Sequence, residues 1–368
     1  MGRKTLLRFS LIAAAACGAL LWAAAPALTD SDSFSPGLYG ASLHRTGAGM
    51  RHWYSAPGGF QELTGIPYEK LRCEGCPEDQ VACVPCHVNS CDRCHAKGQD
   101  AEKGYSVEAA KRADTCLACH SRFKTAAKLD KEAGLQDVHA AAGLTCPDCH
   151  GPQDVHGDGT AYESMKAPGA IKASCNFCHG GKGAGYDPEL RPHKVHEKRL
   201  TCAACHVSAS VTCYNCHFDV AMKSGQKPGN FLPLKSFLLL VNHGGKVTAG
   251  GVQTLVWKDR AFIAYAPQFT HSVTGPGRKC QDCHANEAVK RMVAGQSVPV
   301  VTFAGGKLMG WKGVVPAVPD KLSWVFLQKK DGGWVPLQAK EPPQVQWAGY
   351  ATPLSPEQLK ALSRPIKD

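Results

Sequence analysis

The chain has 368 residues, 19 of them cysteine and 16 histidine, and a formal net charge of +11. Beyond its first 28 residues no apolar run approaches the length of a bilayer span, Phe237-Leu-Leu-Leu-Val241 being far too short, which excludes a protein with several membrane helices.

The start, MGRKTLLRFSLIAAAACGALLWAAAPALTD, places Arg3, Lys4 and Arg8 ahead of an apolar run to Leu28. That is a secretory signal pattern, with Ala25-Pro26-Ala27 as a small-residue cleavage site. The alternative is an uncleaved anchor, since Phe9 to Leu28 is about long enough to span a bilayer. Residues 1–27 are read as the leader, and the protein as exported: periplasmic first, with an anchored or extracellular protein as the other outcomes. Residues 28–72 form an arm rich in Gly, Ser and aromatics, with His44 and His52 but no cysteine.

From residue 73 the pattern changes. Apart from Cys17 in the leader, all the cysteines fall into nine Cys-x-x-Cys pairs. The first, Cys73–Cys76, is followed by Pro77, which cannot ligate. The other eight are each followed at once by histidine. They are Cys83, Cys86 and His87; Cys91, Cys94 and His95; Cys116, Cys119 and His120; Cys146, Cys149 and His150; Cys175, Cys178 and His179; Cys202, Cys205 and His206; Cys213, Cys216 and His217; and Cys280, Cys283 and His284. Cys-x-x-Cys-His is the attachment signal of c-type haem. Two thiols join the vinyl groups of one haem, and the next residue sets an imidazole on the iron. Zinc is satisfied by four ligands and does not require a histidine after every pair. A disulfide framework requires none.

Residues 73–217 hold seven of the eight motifs, too densely for a conventional hydrophobic core. The fold expected there is mostly irregular and α, short helices and loops wrapped round haems that act as the core. Val107–Lys128 has helix-forming composition, and Gly180-Gly-Lys-Gly-Ala-Gly185 reads as a loop. Residues 218–368 carry only Cys280–His284 and read as a small β-rich region. Gln253–Trp257 and Ala261–Tyr265 form one expected hairpin. Lys321–Leu327 and Trp334–Leu337 flank Lys-Lys-Asp-Gly-Gly as another. Ser355 caps a last helix with Pro356 at its first position. Trp257, Phe262, Tyr265, Trp324 and Trp334 read as its core, with substrate binding the alternative.

Eight histidines lie outside the motifs: His44, His52, His139, His156, His193, His196, His243 and His271. That number equals the number of haem irons that need a second axial ligand. Histidine on both faces gives low-spin iron with no open position, which suits a relay. The pattern resembles the multihaem c-type cytochromes, specifically an octahaem one, over residues 83–284. His193-Lys-Val-His196 is similar to the His-x-x-His segment of cytochromes c3, in which the two imidazoles serve different haems. The contexts of His139 and His156 look like distal ligands of that family.

The resemblance implies eight covalent c-type haems and a function in electron transfer. Redox proteins are the implied partners, a membrane quinol oxidase, a dehydrogenase or other cytochromes, with an extracellular acceptor as a further one. No catalytic residue is assigned. Removing Arg3, Lys4 and Arg8 with the leader leaves a charge of about +8, and eight oxidised haems with their propionates bring about −8. The basic residues therefore read as propionate partners, not as a face for nucleic acid.

Two other functions stay open. One is a reductase or oxidase of a nitrogen or sulfur oxyanion, with one open haem. Several octahaem enzymes mark that haem with Cys-x-x-Cys-Lys or a tyrosine crosslink, and no pair here is followed by lysine. The other is self-assembly into an extracellular cytochrome filament. Cys73 and Cys76 read as a local disulfide in oxidising surroundings, with a redox dithiol and a ninth haem site as alternatives.

Overall fold

A computed structural model describes residues 36–71, 88, 90–96, 104–180, 185–210, 212–224, 226, 228–231, 236–268 and 271–366. The leader, the pair Cys73 and Cys76, and the Cys83–His87 motif lie outside the described residues. The N-terminal part is rich in helix and loop, and the C-terminal part is rich in strand.

Between residues 88 and 200 the helices are short, such as Asp92–His95, Val138–Ala141, Pro152–His156 and Arg191–His196. The helix expected over 107–128 is broken into Val107–Lys111, Ala113–Leu117 and Ser121–Glu132. Arg112 is extended at ψ 135°, and His120 leaves helical geometry at ψ 45°. The second break has a local cause. The Cys116–His120 motif closes its own turn, His120 N–H donating to the Cys116 carbonyl at 2.9 Å. Among the described apolar residues of this stretch only Ala126 and Ala170 are buried, whereas Tyr105, Phe177 and Val195 are each at least half exposed. A hundred residues thus fold without an apolar core of their own.

The core lies in the C-terminal sheet. The strands of this part are β1 (Cys213–His217), β2 (Phe237–His243), β3 (Lys246–Trp257), β4 (Arg260–Pro267), β5 (Val298–Ala304), β6 (Lys307–Gly310), β7 (Gly313–Pro316), β8 (Leu322–Trp324), β9 (Leu327–Lys330), β10 (Gly333–Pro336), β11 (Gln344–Trp347) and β12 (Ala351–Thr352); β6, β5 and β8 form a separate three-stranded sheet, and β9 and β10 a two-stranded one. β3 is the spine. β4 runs antiparallel along one edge, from Gly250 opposite Pro267 to Trp257 opposite Arg260. On the other edge β2 pairs with residues 246–250, and β1 continues in parallel at 253–256. β11 extends the sheet beyond β4, and β7 and β12 extend it beyond β2.

β2 is buried on both faces, which explains its unbroken apolar run. Phe237, Leu239 and Val241 enter one cluster with Tyr214, Val252, Val256 and Met292. Leu238 and Leu240 enter the opposite cluster with Ala204, Val207, Val289 and Leu362. Ala204 and Val207 belong to and follow the Cys202–His206 motif, so the sheet is the base on which that motif rests.

The first expected hairpin is β3–β4. The second is narrower than expected: only β9 and β10 pair antiparallel, while β8 runs parallel to β5. Gly244-Gly245, Gly305-Gly306 and Asp331-Gly332 each carry two consecutive positive φ angles. That is the two-residue turn whose twist matches a hairpin. The last helix, Pro356–Ser363, starts as expected, with Ser355 accepting from the Gln358 N–H.

The arm bridges the two parts. Gln344 Nε2 donates to the Gly58 and Gly59 carbonyls at 2.8 and 2.9 Å, and Phe60 meets the Phe262 ring edge-on at 4.6 Å. Toward the helical part, Trp53 Nε1 donates to Ser164 Oγ at 2.9 Å. Phe262 is fully buried among Leu63, Leu255 and Trp257, the arm and the sheet meeting there. Phe262→Ala is expected to cost about 3–5 kcal/mol, read as a lower urea midpoint of the intact protein.

Candidate functional site

Most of the motifs share one local geometry. The histidine N–H returns to the carbonyl of the first cysteine, at 2.8 Å for His95 and Cys91 and 2.9 Å for His150 and Cys146 and for His284 and Cys280. Cys175–His179 and Cys202–His206 are single helical turns. On a helix, positions i, i+3 and i+4 lie on one face. The spacing therefore presents both thiols and the imidazole to the same side.

The structure brings motif histidines together with histidines from outside the motifs, in pairs. Ring centroids are 6.1 Å apart for His120 and His44, 6.0 Å for His95 and His156, and 6.0 Å for His179 and His139. They are 6.1 Å apart for His150 and His271, 6.2 Å for His206 and His193, and 6.1 Å for His284 and His196. Direct ring contact would be closer and would vary. Two metal–nitrogen bonds of about 2 Å each, plus the short reach from each nitrogen to its ring centre, give about 6 Å. Among the described residues no three His, Cys, Asp or Glu side chains converge on a point that could hold a metal ion. The imidazoles meet in twos, which fits an ion whose other ligands come from a planar macrocycle and does not fit zinc.

The outer nitrogens are held by the protein. Nδ1 of His44 faces the Val155 carbonyl at 3.1 Å, Nδ1 of His193 the Asp187 carbonyl at 2.6 Å, and Nδ1 of His196 the Pro192 carbonyl at 2.9 Å. On the motif side, His206 Nδ1 faces the Thr274 carbonyl at 3.0 Å and His150 Nδ1 the Asp154 carboxylate at 3.0 Å. An Nδ1–H so engaged leaves Nε2 as the free lone pair, the usual arrangement of a metal-bound histidine. Burial lowers the pKa of His44, His120, His156, His271 and His284, so the neutral ligand form is favoured.

Asp154 lies four residues after His150. Burial works to raise its carboxyl pKa, but His150 and the N–H groups of Lys172 and Ala173 outweigh it and hold the pKa below the ordinary value. Asp137 caps the Val138–Ala141 helix and also accepts from the Val273 N–H at 2.7 Å, which ties the His139 segment to the His271 segment. Phe123 lies face-on to His120 at 5.9 Å and edge-on to His271 at 4.4 Å. Tyr186 stacks on His193 at 4.9 Å. These supporting residues carry no motif, and only the i,i+4 spacing of Asp154 was a usable signal.

Six of the described motifs follow one another in space in sequence order, with Cys213–His217 outside the row. Cys94 lies beside Cys119, Cys116 beside Cys146, and Cys149 beside Cys178. Cys175 and Cys202 hydrogen-bond, which raises the first thiol's pKa and lowers the second's. Cys205 lies beside Cys280 and Cys283. Every described cysteine is a free thiol.

Cys213–His217 is placed differently. It is strand β1, with Asn215 left-handed at φ 61°. A bulge aligns Cys213 with Gln253 and Cys216 with Leu255, and then His217 with Val256. Strand alternation therefore puts both cysteines on one face of the sheet and His217 on the other. His217 Nε2 faces the Leu327 carbonyl at 2.9 Å, and its ring lies 5.3 Å from Trp334. The two other histidines outside the motifs lie elsewhere. His243 ends β2 opposite Lys246, about 33 Å along β3 from the position of His217. His52 Nδ1 is 3.8 Å from Glu163 and lines a cavity of about 540 Å³ with Arg51, Glu69 and Glu163. Among the described residues no second imidazole stands opposite His217.

Asp154→Ala strips the acceptor from His150 and from two backbone N–H groups. The expected cost is about 1–3 kcal/mol per stranded group, read by thermal unfolding, with Asp154→Asn losing less.

Residues 138–218 match the cytochrome c3 family profile. A dissimilatory sulfite reductase, MccA, of Wolinella succinogenes is 25% identical over 169 residues, covering 37% of this chain and 23% of the relative. The chain thus spans about a quarter of the length of that relative. No solved structure matches. Over these segments the chain is similar to cytochromes of the c3 kind and to that reductase.

Proposed function

We propose that this protein is an exported multihaem c-type cytochrome that relays electrons along a row of haems. One observation carries the reading: a motif histidine meets a non-motif histidine at the same 6.0–6.2 Å six times over. In each motif the two cysteines anchor the macrocycle, and the motif histidine binds one face of the iron. His44, His139, His156, His193, His196 and His271 bind the other faces. When bound, the haems supply reversible one-electron chemistry. The paired imidazoles, fixed by the chain, would hold each haem in one arrangement, which keeps reorganisation small.

The fit extends to packing. The stretch from 88 to 200 buries almost none of its apolar side chains. Porphyrin faces would cover Phe177 and Val195 and supply the missing core. The row of cysteine contacts sets the order, from Cys91–His95 in sequence to Cys202–His206 and from there directly to Cys280–His284. Haems on Cys83–His87 and Cys213–His217 complete the set of eight. The cavity beside His52 leaves room for that histidine to be the distal ligand of a haem lodged against the arm, while His243 is left for another role. Cys73 and Cys76 form a disulfide. The leader sends the chain to the periplasm, where a membrane dehydrogenase, a quinol oxidase or another cytochrome is the donor. An extracellular acceptor and end-to-end assembly are further extensions of the same relay.

One observation favours a second reading. Among the described residues no second imidazole meets His217, so a haem on Cys213–His217 would keep an open face once His217 leaves the Leu327 carbonyl. An open haem can take a small oxyanion, and the similarity to a sulfite reductase makes sulfur oxyanions the substrate class to assay.

Mass spectrometry of the holoprotein is expected to give eight haems. Nine would assign one to Cys73 and Cys76. Low-temperature paramagnetic resonance of the oxidised protein is expected to be dominated by low-spin iron, and His271→Ala to add one high-spin, cyanide-binding haem. An unchanged spectrum in that variant would overturn the pairing. A cyanide-binding haem in the unaltered protein, with sulfite turnover, would establish the second reading.

A further inference from the structure

The last two motifs of the row are joined in three ways. His193 and His196 lie three residues apart on one helix, and their partners are His206 and His284. The segment Thr274–Arg278 wraps the first site. The Thr274 carbonyl faces His206 Nδ1 at 3.0 Å, and a Cβ on Gly277 would sit 3.8 Å from His206 Nε2. Arg278 closes the junction. Its N–H donates to the Cys205 carbonyl at 3.1 Å, and its Nη2 donates to the Val207 and Ser208 carbonyls at 2.5 Å each. The guanidinium lies beside both Cys205 and Cys283. Its Nε is buried and, among the described residues, has no hydrogen-bond partner.

Carbonyl dipoles hold this cation in place, but they do not neutralise it. The carboxylate of Asp282, which accepts from the Lys279 N–H at 3.0 Å, is near enough to offset part of the charge and not held in an ion pair with it. A fixed positive charge in a partly buried site interacts strongly with a neighbouring charge change, because little solvent screens it. Reduction of a haem adds a negative charge, and a cation beside it favours the reduced form.

We propose that Arg278 is a positioning residue whose charge raises the reduction potentials of the haems on Cys202–His206 and Cys280–His284. That makes this pair the electron-accepting end of the row. The proposal rests on the haem reading above. It adds a direction to the relay, from the Cys91–His95 end toward the junction with the sheet.

The test is a spectroelectrochemical titration of the full holoprotein, with haem counted on every sample. Arg278→Met removes the charge, and Arg278→Lys keeps it while losing the paired donors. Arg278→Met is expected to shift two haems about tenfold toward the oxidised form, about 59 mV for one electron, with the low-spin signals intact. Arg278→Lys is expected to stay near the unaltered protein. The proposal is overturned if Arg278→Met titrates unchanged. It is overturned equally if both variants shift alike or lose haem alike, since Arg278 would then act as a staple and not as a charge. A haem count two short in the unaltered protein would instead remove the haem reading at these motifs, independently of any shift.

Discussion

The structure depends on the distance between paired imidazoles. Six pairs share it, although their histidines come from the arm, from helices, from loops and from segments as far apart in sequence as His44 and His120 or His150 and His271. The angles between ring planes range from 24° to 74°. Rings on a common axis may twist freely about it, so the constant separation and the variable twist belong together. The backbone carbonyls and carboxylates on Nδ1 then fix where each Nε2 points.

This constraint explains the uneven distribution of the core. The sheet is built as an ordinary two-faced apolar layer, with β2 buried on both sides. The helical part has nothing comparable, and its stability must come from what the motifs hold and from the surfaces it rests on. On the proposed reading, cofactor attachment would be coupled to folding. Of the described helical motifs Cys202–His206 contributes directly to the sheet's core, through Ala204, and the strand motif Cys213–His217 does so through Tyr214. The arm fixes the other side, with His44 in the helical part and Phe60 against Phe262.

The contrast between β1 and the other motifs has a simple physical basis. The same five-residue pattern gathers two thiols and an imidazole when it is helical. It divides them when it is a strand, even with the bulge that returns Cys216 to the face of Cys213. Trp334, Asn215 and the Leu327 carbonyl surround His217 instead of a second imidazole. Farther along the row, the partly buried guanidinium of Arg278 marks one end of the proposed relay.

The sequence by itself determined the motif spacing, the number of histidines outside the motifs, the helix and strand halves, the β3–β4 hairpin and the capped last helix. These are local: a turn, a cap or a two-residue periodicity is written in adjacent residues. The Gly-Gly and Asp-Gly turns were legible in the same way and were passed over. Only the tertiary structure decided which histidine faces which, because a partner such as His271 or His44 carries no local mark and is chosen by how distant segments pack. It also decided that His217 stands apart and that Arg278 lies between two motifs. Both follow from long-range pairing, β1 along β3 and the Thr274–Arg278 segment around His206, which no pattern of neighbouring residues records.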